Sequence, residues 1–182
     1  RASTLTCSAE GYFDPEGAAP VFRYVWLVNG EVQPEEGPTL AGSRLRKGAV
    51  VVCQAVPYDG VQEGVPVSSR PVTVLNSPPR IVRLALTPGS GNHFTVFTCI
   101  PVEVADLDDD TLVFSYAWFQ NGTRLAGRES AVLSHFAFTS GDQIRCQAVP
   151  SDGVASGPAV DSNVALVFNA LPSVAQVEIS PD

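Results

Sequence analysis

The chain has 182 residues, a formal net charge of −8 and a sequence pI of about 4.6, which exclude the clustered basic surface that non-specific nucleic-acid binding requires. Hydrophobic residues make up 45% of the chain, enough for a folded core in one or two domains. There is no apolar run of about 18 residues or more, so the sequence predicts no membrane-spanning segment.

The composition favours many short β-strands joined by sharp turns. The chain contains 15 glycines, 15 prolines and frequent valine and threonine, which are typical of strands and tight turns. No helical apolar period extends over about ten residues. The sequence begins at Arg1 without a signal peptide, and we expect it to be a mature piece or a window from a longer protein.

An internal repeat of 92–93 residues runs through the chain. "TLTC" at Thr4–Cys7 matches "VFTC" at Val96–Cys99, and "CQAVPYDG" at Cys53–Gly60 matches "CQAVPSDG" at Cys146–Gly153. A repeat of this length is the size of one β-sandwich domain rather than of a solenoid unit. The predicted divisions are a first domain at 1–76, a second domain at 77–169, and a segment at 170–182 that matches the start of the second domain.

Each repeat contains a cysteine, a tryptophan and a second cysteine at nearly equal spacing. The spacings are 19 and 27 residues in the first repeat and 19 and 28 residues in the second. This pattern is typical of an immunoglobulin-like sandwich, in which the cysteines lie on strands B and F of opposing sheets and the tryptophan on strand C packs against their bridge. The residues are Cys7, Trp26 and Cys53, followed by Cys99, Trp118 and Cys146.

The fold class predicted from this pattern is all-β, with two tandem immunoglobulin-like β-sandwich domains. Four cysteines allow three pairings, and the repeat selects Cys7–Cys53 and Cys99–Cys146. Two such disulfides predict an oxidising compartment, either extracellular or at the cell surface. Zinc is not expected, because the sequence has no CxxC pair and only two histidines.

The strand positions predict a permuted arrangement. The first repeat begins at strand B and lacks its own strand A, whereas Leu171–Asp182 resembles a strand A with no domain after it. In chain order, the strands predicted for the second repeat are A near Arg80–Thr87, B near Thr95–Val104, C near Leu112–Gln120, one near Ala131–Phe138, F near Gln143–Val149 and G near Ala159–Phe168.

Two explanations account for this permutation. In the first, the chain is a two-domain window of a long tandem array. In the second, separate chains polymerise, and each donates residues 170–182 to the open first domain of the next by β-augmentation. Both predict neighbouring copies or repeats of the chain as partners, arranged head to tail in a non-closing filament. An arbitrary chain boundary is the alternative without functional meaning.

The whole chain resembles the tandem Ig-like and PKD-like repeats of large bacterial surface and secreted proteins. The residues that carry the resemblance are "YVWLVNG" at Tyr24–Gly30, "YAWFQNG" at Tyr116–Gly122, "GDQIRCQAVPSDG" at Gly141–Gly153 and the "NSPP" linker at Asn76–Pro79. The resemblance implies a structural part of an extracellular stalk, array or filament rather than an enzyme. An adhesin or other cell-surface binding module is the alternative that it leaves open.

A run of aspartates between strands B and C is similar to the acidic loop of calcium-binding PKD-like and cadherin-like repeats. Calcium takes about six to eight oxygen ligands in flexible geometry, and an aspartate of the F–G loop is expected at the same end of the sandwich. A bound ion would stiffen the joint near the Asn76–Pro79 linker. The alternative is a solvated acidic loop, since the first repeat has only Asp14 and Glu16 at matching positions. The candidate ligands are Asp106, Asp108, Asp110 and Asp152.

The remaining motifs favour turns over chemistry. In Asp59-Gly60 and Asp152-Gly153 the aspartate is expected to cap a turn and the glycine to adopt a positive φ. Asn121 begins an N-glycosylation sequon, but Asn-Gly is also a preferred hairpin dipeptide and the first repeat lacks the acceptor hydroxyl.

We predict no enzymatic activity and no catalytic residues, because neither histidine lies near a nucleophile turn. His93 falls in a glycine-rich turn and His135 in a predicted strand. Calcium is the one cofactor that the sequence suggests.

Overall fold

Two β-structured units make up the chain: domain 1 (Arg1–Ser77) and domain 2 (Pro78–Asp182). The regular structure of the described residues is β-strand apart from a single turn of 3₁₀ helix at Gly42–Arg44. Within this part of the chain, no helix has the length and apolar character needed to cross a membrane. The structure is a computed structural model that describes residues 4–17, 19, 21–134 and 138–179.

Domain 1 is built from strands that are mostly short. In chain order they are β1 (Leu5–Thr6), β2 (Val21–Val28), β3 (Glu31–Val32), β4 (Thr39–Leu40), β5 (Val50–Tyr58), β6 (Val67–Ser68) and β7 (Val72–Thr73). One sheet has the order β3–β2–β5–β6, with β7 also paired to β5, and the other is the pair β1–β4. These correspond to strands C′–C–F–G and B–E of an immunoglobulin-like sandwich. No strand among the described residues of domain 1 takes the strand A position.

Domain 2 repeats this arrangement with additional strands. They are β8 (Arg80–Thr87), β9 (Ser90–Gly91), β10 (Phe97–Ala105), β11 (Val113–Gln120), β12 (Thr123–Arg124), β13 (Val132–Leu133), β14 (Gln143–Ser151), β15 (Val160–Asp161) and β16 (Ala165–Val167). One sheet is β13–β10–β8, equivalent to E–B–A. The other is β12–β11–β14–β16–β9, with β15 also paired to β14, equivalent to C′–C–F–G and a short A′ strand.

Alternation along the central strands directs one face of each sheet into the core of domain 2. In β14, Ile144, Cys146 and Ala148 are fully buried, and they alternate with partly exposed residues. Cys146 is bonded to Cys99 on the opposing sheet with a Cα–Cα distance of 6.1 Å. Trp118, also fully buried, lies opposite Cys146 in the β11–β14 ladder.

Domain 1 has the same cysteine and tryptophan frame. Cys7, which directly follows β1, is bonded to Cys53 on β5 with a Cα–Cα distance of 6.3 Å. Trp26 lies opposite Cys53 in the β2–β5 ladder. The Trp26 indole N–H donates to the Gly37 carbonyl at 2.9 Å. The prediction of two tandem immunoglobulin-like sandwiches, each with a B–F disulfide, is confirmed.

The two domains differ in strand A. In domain 2, β8 pairs antiparallel along almost the whole nine-residue β10. In domain 1 the counterpart of β10 is β1, which has two residues, and Ser8–Phe13 belongs to no strand. Among the described residues, the buried core cluster contains 13 residues in domain 2 and five in domain 1.

The predicted extents of strands E and G differ from those observed. Among the described residues of the strand expected near Ala131–Phe138, the strand observed is β13, in which Val132 and Leu133 pair with Thr98 and Phe97 of β10. His135 lies outside the described residues. The predicted strand G is split into β15 and β16, because between them the Ser162 hydroxyl, in place of a backbone group, accepts the Cys146 N–H at 3.0 Å.

The C-terminal segment forms no strand within its described residues 170–179. The sequence predicts a match to strand A, but none of the described strands pairs with the segment.

Candidate functional site

Two places in the fold carry unusual groups: the acidic loop of domain 2 and the open edge of domain 1. In the acidic loop, one carboxylate oxygen from each of Asp106, Asp110 and Asp152 lies within 4.8 Å of the others. Asp106 and Asp110 stand on the loop between β10 and β11, and Asp152 follows β14. The structure thus brings together three of the four candidate calcium ligands, and Asp108 is not a member of the group.

The aspartate of each Asp-Gly pair caps its turn. Asp152 Oδ1 accepts the backbone N–H groups of Val154 and Ala155 at 2.7 and 2.6 Å. Asp59 Oδ1 makes the same pair of bonds in domain 1, to the N–H groups of Gln62 and Val61, which lower the pKa of this carboxyl. The following glycines have φ values of 97° (position 60) and 86° (position 153), the left-handed region that a tight turn needs.

Asp106 supplies the feature that distinguishes the acidic cluster from an ordinary loop. Its Oδ1 accepts the Asp108 N–H at 2.6 Å. Its Oδ2 is buried and has no hydrogen-bond partner, although a buried carboxylate oxygen normally requires one. Three carboxylates so close together also repel one another unless a cation separates them. The donor set is therefore of the hard-oxygen type that calcium takes, with the remaining ligands left to carbonyl groups or water.

Domain 1 has no comparable acidic group among its described residues. Its matching residues are Asp14, Glu16 and Asp59, and Ala18, the fourth matching position, lies outside the described part. The acidic cluster is therefore particular to domain 2.

The open edge of domain 1 is a groove with a volume of approximately 410 Å³. Cys7–Phe13 forms one wall, and residues of the C–F–G sheet, including Phe22, Ala55 and Val67, form the other. Cys7 is half-buried here, whereas its counterpart Cys99 is 2% exposed. The inter-sheet disulfide of domain 1 is consequently accessible from the groove.

The wall of the groove contains aromatic side chains. Tyr12 packs edge-on against Phe22, with ring centroids 5.8 Å apart. The Tyr12 hydroxyl oxygen is buried without a hydrogen-bond partner. Burial, followed by the charges of Asp14 and Asp59, raises the pKa of this hydroxyl, so it stays neutral and remains a hydrogen-bond donor.

A buried carboxylate that sequence reasoning missed lies under strand C of domain 2. Asp142, 5% exposed, accepts hydrogen bonds at 2.7 Å from the Gln120 and Asn121 side-chain amides and the Thr139 N–H. Burial acts to raise the pKa of Asp142, but the hydrogen bonds from Thr139, Asn121 and Gln120 outweigh it and the pKa is lowered. The sequence signal for this group is a difference between the repeats: Asp142 stands where the first repeat has the apolar Ala49.

The Asn121 side chain belongs to the same network. Its Oδ1 accepts the Gln143 N–H at 2.9 Å while Nδ2 donates to Asp142, and Asn29 Oδ1 accepts the Val50 N–H in the equivalent way. Asn29 and Asn121 both have positive φ, as a two-residue hairpin requires. The asparagines thus hold the hairpin turns, and glycosylation of Asn121 stays a prediction.

Comparisons with solved structures relate the chain to tandem fibronectin type III and immunoglobulin-like domains. It is similar to the FN1–FN3 domains of chicken CNTN1, with 12% identity and a TM-score of 0.40 over 84% of this chain and 59% of that chain. It is similar to the fibronectin(III)-like modules of Clostridium thermocellum CbhA, with 14% identity and a TM-score of 0.33 over 86% and 83%. The likeness to the Ig1–Ig3 ectodomain of mouse nectin-like molecule 4 has 15% identity and a TM-score of 0.30 over 86% and 57%.

These likenesses concern the fold alone. The chain spans less than two thirds of the length of the CNTN1 and nectin-like structures. No protein-family model matches the sequence, and no curated protein matches it significantly. The chain is a tandem of Ig-like domains whose two disulfides indicate an oxidising environment.

Proposed function

We propose that the chain is a structural segment of an extracellular filament, stalk or tandem array, in which Ig-like domains follow one another head to tail. The observation that carries the proposal is the repetition of a whole disulfide-bonded sandwich, with its tryptophan, within 182 residues. Neighbouring copies or repeats of the same chain are its partners. Its role is mechanical and needs no turnover.

Electron microscopy of native surface material from the source organism tests this role. The expected result is an extended fibre or stalk with an axial repeat of two domains, labelled at that spacing by an antibody against domain 2. Isolated two-domain particles, together with a gene that encodes no further repeats, would contradict the proposal. That result would favour the alternative function, a cell-surface binding module.

We also propose that calcium binds at the acidic cluster of domain 2. The support is the approach of Asp106, Asp110 and Asp152 to within 4.8 Å and the buried Asp106 Oδ2 without a hydrogen-bond donor. When bound, the ion would offset most of the repulsion among the three carboxylates and tie the B–C loop to the F–G loop.

Thermal melting in millimolar calcium and in chelator tests the calcium proposal. We expect calcium to raise the melting temperature of domain 2, because a ligand that binds only the folded state stabilises it. Asp110→Asn should abolish the response without removing a turn cap. Asp59→Asn, which alters the domain 1 turn that corresponds to the Asp152 turn, is the control and should leave the calcium response of domain 2 intact. Identical wild-type curves in calcium and chelator would exclude the site.

A further inference from the structure

The C-terminal segment Ser173–Ile179 exposes a set of apolar side chains. Val174, Val177 and Ile179 are 78%, 83% and 96% exposed, and the segment belongs to no strand. Removing such side chains from water is favourable, and exposed apolar sets often mark contact surfaces. The segment is therefore an exposed apolar stretch that pairs with none of the described strands.

In the internal repeat these three residues match the three core residues of β8. Ile81, Leu84 and Leu86 are all buried, and they are spaced by three and then two residues rather than by two throughout. The irregular step arises at the register shift between Glu103 and Val104 of the β8–β10 ladder, where their partners are Arg83 and Ile81 and Val82 is skipped, which re-aims the side chains as a β-bulge does. The C-terminal segment has the same spacing of three and two, so its pattern fits this bulged strand A and not a regular strand.

Domain 1 has no strand in the strand A position among its described residues. Cys7–Phe13 is the counterpart of the β10 residues that pair with β8, and in domain 1 it borders the open groove of approximately 410 Å³. Cys7 and Ala55 are more exposed than their counterparts Cys99 and Ala148. A sheet edge of this kind is a template for an added strand.

We propose that Ser173–Ile179 of a second copy of this chain docks in the groove of domain 1 as its strand A, antiparallel to Cys7–Phe13. The proposal rests on the head-to-tail assembly proposed above and identifies the contact. The register follows from the pairs that β8 makes with β10. The pairs are Cys7 with Ile179, Ser8 with Glu178, Ala9 with Val177, Gly11 with Gln176 and Tyr12 with Val174.

The backbone beside the groove is already arranged as in domain 2. The Ser69 hydroxyl accepts the Cys53 N–H at 3.1 Å and donates to the Arg70 carbonyl at 2.9 Å. In domain 2 the equivalent Ser162 makes the same two bonds, and the next residue, Asn163, bonds both backbone groups of Leu86. Domain 1 has Arg70 in place of this asparagine, so its groove has the frame for strand A but not the final amide clamp.

Cross-linking between two variants of the 182-residue chain, each with one added cysteine, tests the register. The native cysteines of the structure are all in disulfides, and opposed antiparallel residues have Cα atoms about 4.5–5.5 Å apart, within disulfide range. An equimolar mixture of Ser8→Cys and Glu178→Cys chains should give a disulfide-linked dimer under mild oxidation. A mixture of Ser8→Cys and Gln176→Cys chains, displaced by two residues on the same face, is the control and should not. Absence of the dimer, or equal yields in both mixtures, would overturn the proposal.

Sedimentation velocity of the full chain over a concentration series provides a second measurement. Val177→Asp should weaken self-association about tenfold or more, because it places a charge where Leu84 is buried in domain 2. Ala175→Asp is the matched control, since its counterpart Val82 is exposed, and it should leave association unchanged. A wild-type chain that stays monomeric at all concentrations, or variants with equal effects, would also overturn the proposal.

The two proposals fail in different ways. If native material forms a fibre but the mixed cysteine variants give no dimer, strand docking is wrong and the structural role stands. If the dimer forms in the predicted register but native material shows no repeated array, the docking stands and the filament role is wrong. A cross-link that closes within a single Ser8→Cys/Glu178→Cys chain would show that the segment docks on domain 1 of its own chain. That result would overturn docking between two copies.

Discussion

Domain 1 and domain 2 contain the same disulfide and tryptophan frame, yet only one of them has a closed core. Cys99 is 2% exposed while Cys7 is half-buried, although both bridge the same pair of strands. The difference is strand A, which in domain 2 is β8 and which domain 1 lacks among its described residues. The B–F bridge therefore defines the sandwich, whereas strand A closes its core.

A second difference lies under the hairpin of strand C. Domain 2 has the buried Asp142 carboxylate with its amide and backbone donors, and domain 1 has the small apolar Ala49. Both solutions satisfy the local backbone, but the polar one adds a titratable group whose lowered pKa makes the stability of domain 2 depend on pH at this position.

The largest expected effect comes from removing a disulfide. The bridges close loops with sequence separations of 46 and 47 residues, and each is expected to contribute about 4 kcal/mol by restricting the unfolded chain. We expect Cys7→Ala/Cys53→Ala to unfold domain 1, whose core is small, while Cys99→Ala/Cys146→Ala leaves domain 2 folded but less stable.

Urea denaturation followed by tryptophan fluorescence checks this, since each domain has one tryptophan. Replacing Trp26 or Trp118 with Phe assigns each transition to its domain. Equal residual stability of the two domains after loss of their bridges would show that strand A does not account for their difference.

Truncation of a core residue in strand A should have the next largest effect. Leu84→Ala in β8 is expected to destabilise domain 2 by about 2–4 kcal/mol, because Leu84 is buried. Val177→Ala, the matching change in the C-terminal segment, should alter the stability of the monomeric chain by less than about 0.5 kcal/mol. Chemical denaturation at low protein concentration measures both, and a comparable loss in the two variants would contradict the assignment of the segment as an undocked strand.

Asp142→Ala should destabilise domain 2 by about 1–3 kcal/mol, because it leaves buried donors without an acceptor. The folded-state pKa of Asp142 lies below its ordinary value of 3.8. The carboxylate's contribution is therefore fully present above pH values near 3.8 and is lost as the pH falls through the folded-state pKa.

Acid denaturation of domain 2 should accordingly become less steep in Asp142→Asn. The measurement is the free energy of unfolding between neutral pH and the acid limit, with Asp59→Asn as a control in domain 1. An unchanged pH profile in Asp142→Asn would show that another group governs the acid transition.

The smallest expected effect concerns the amide clamp on strand A. Asn163→Ala should destabilise domain 2 by about 1 kcal/mol, because two hydrogen bonds to Leu86 are lost. Arg70→Asn should transfer the clamp to domain 1 and tighten binding of a synthetic peptide of residues 170–182 several-fold. Isothermal titration of the peptide into each variant measures this, and weaker binding to Arg70→Asn would mean that Arg70 itself contacts the segment.

The sequence predicted the covalent frame well, because the cysteine and tryptophan spacing of a sandwich is fixed by strand geometry and recurs in both repeats. The ends of strands were less predictable. Strand E is observed, within its described residues, at Val132–Leu133, where it pairs with the first residues of β10, and such an extent depends on the partner strand as well as on the residues of strand E.

The candidate site shows the same division. The Asp-Gly pairs are local turns, and their caps follow from neighbouring residues. The convergence of Asp106 and Asp110 with Asp152 follows from the shared end of the B–C and F–G loops, whereas the exclusion of Asp108 depends on the particular path of the loop, with Asp109 in the left-handed region. The buried position of Asp142 could not be predicted, because it depends on Gln120, Asn121 and Thr139 all donating to the same carboxylate.

The position of the two disulfides also sets how far the protein can lengthen under tension. A bridge between strands B and F takes the loop between its cysteines out of the path of the force, so this length stays hidden even when the sandwich opens. For a separation of 47 residues the withheld contour length is roughly 160 Å. Each repeat can thus release only about half of its chain, so a fibre made of such units would lengthen about half as far as an unbridged one for as long as its surroundings remain oxidising.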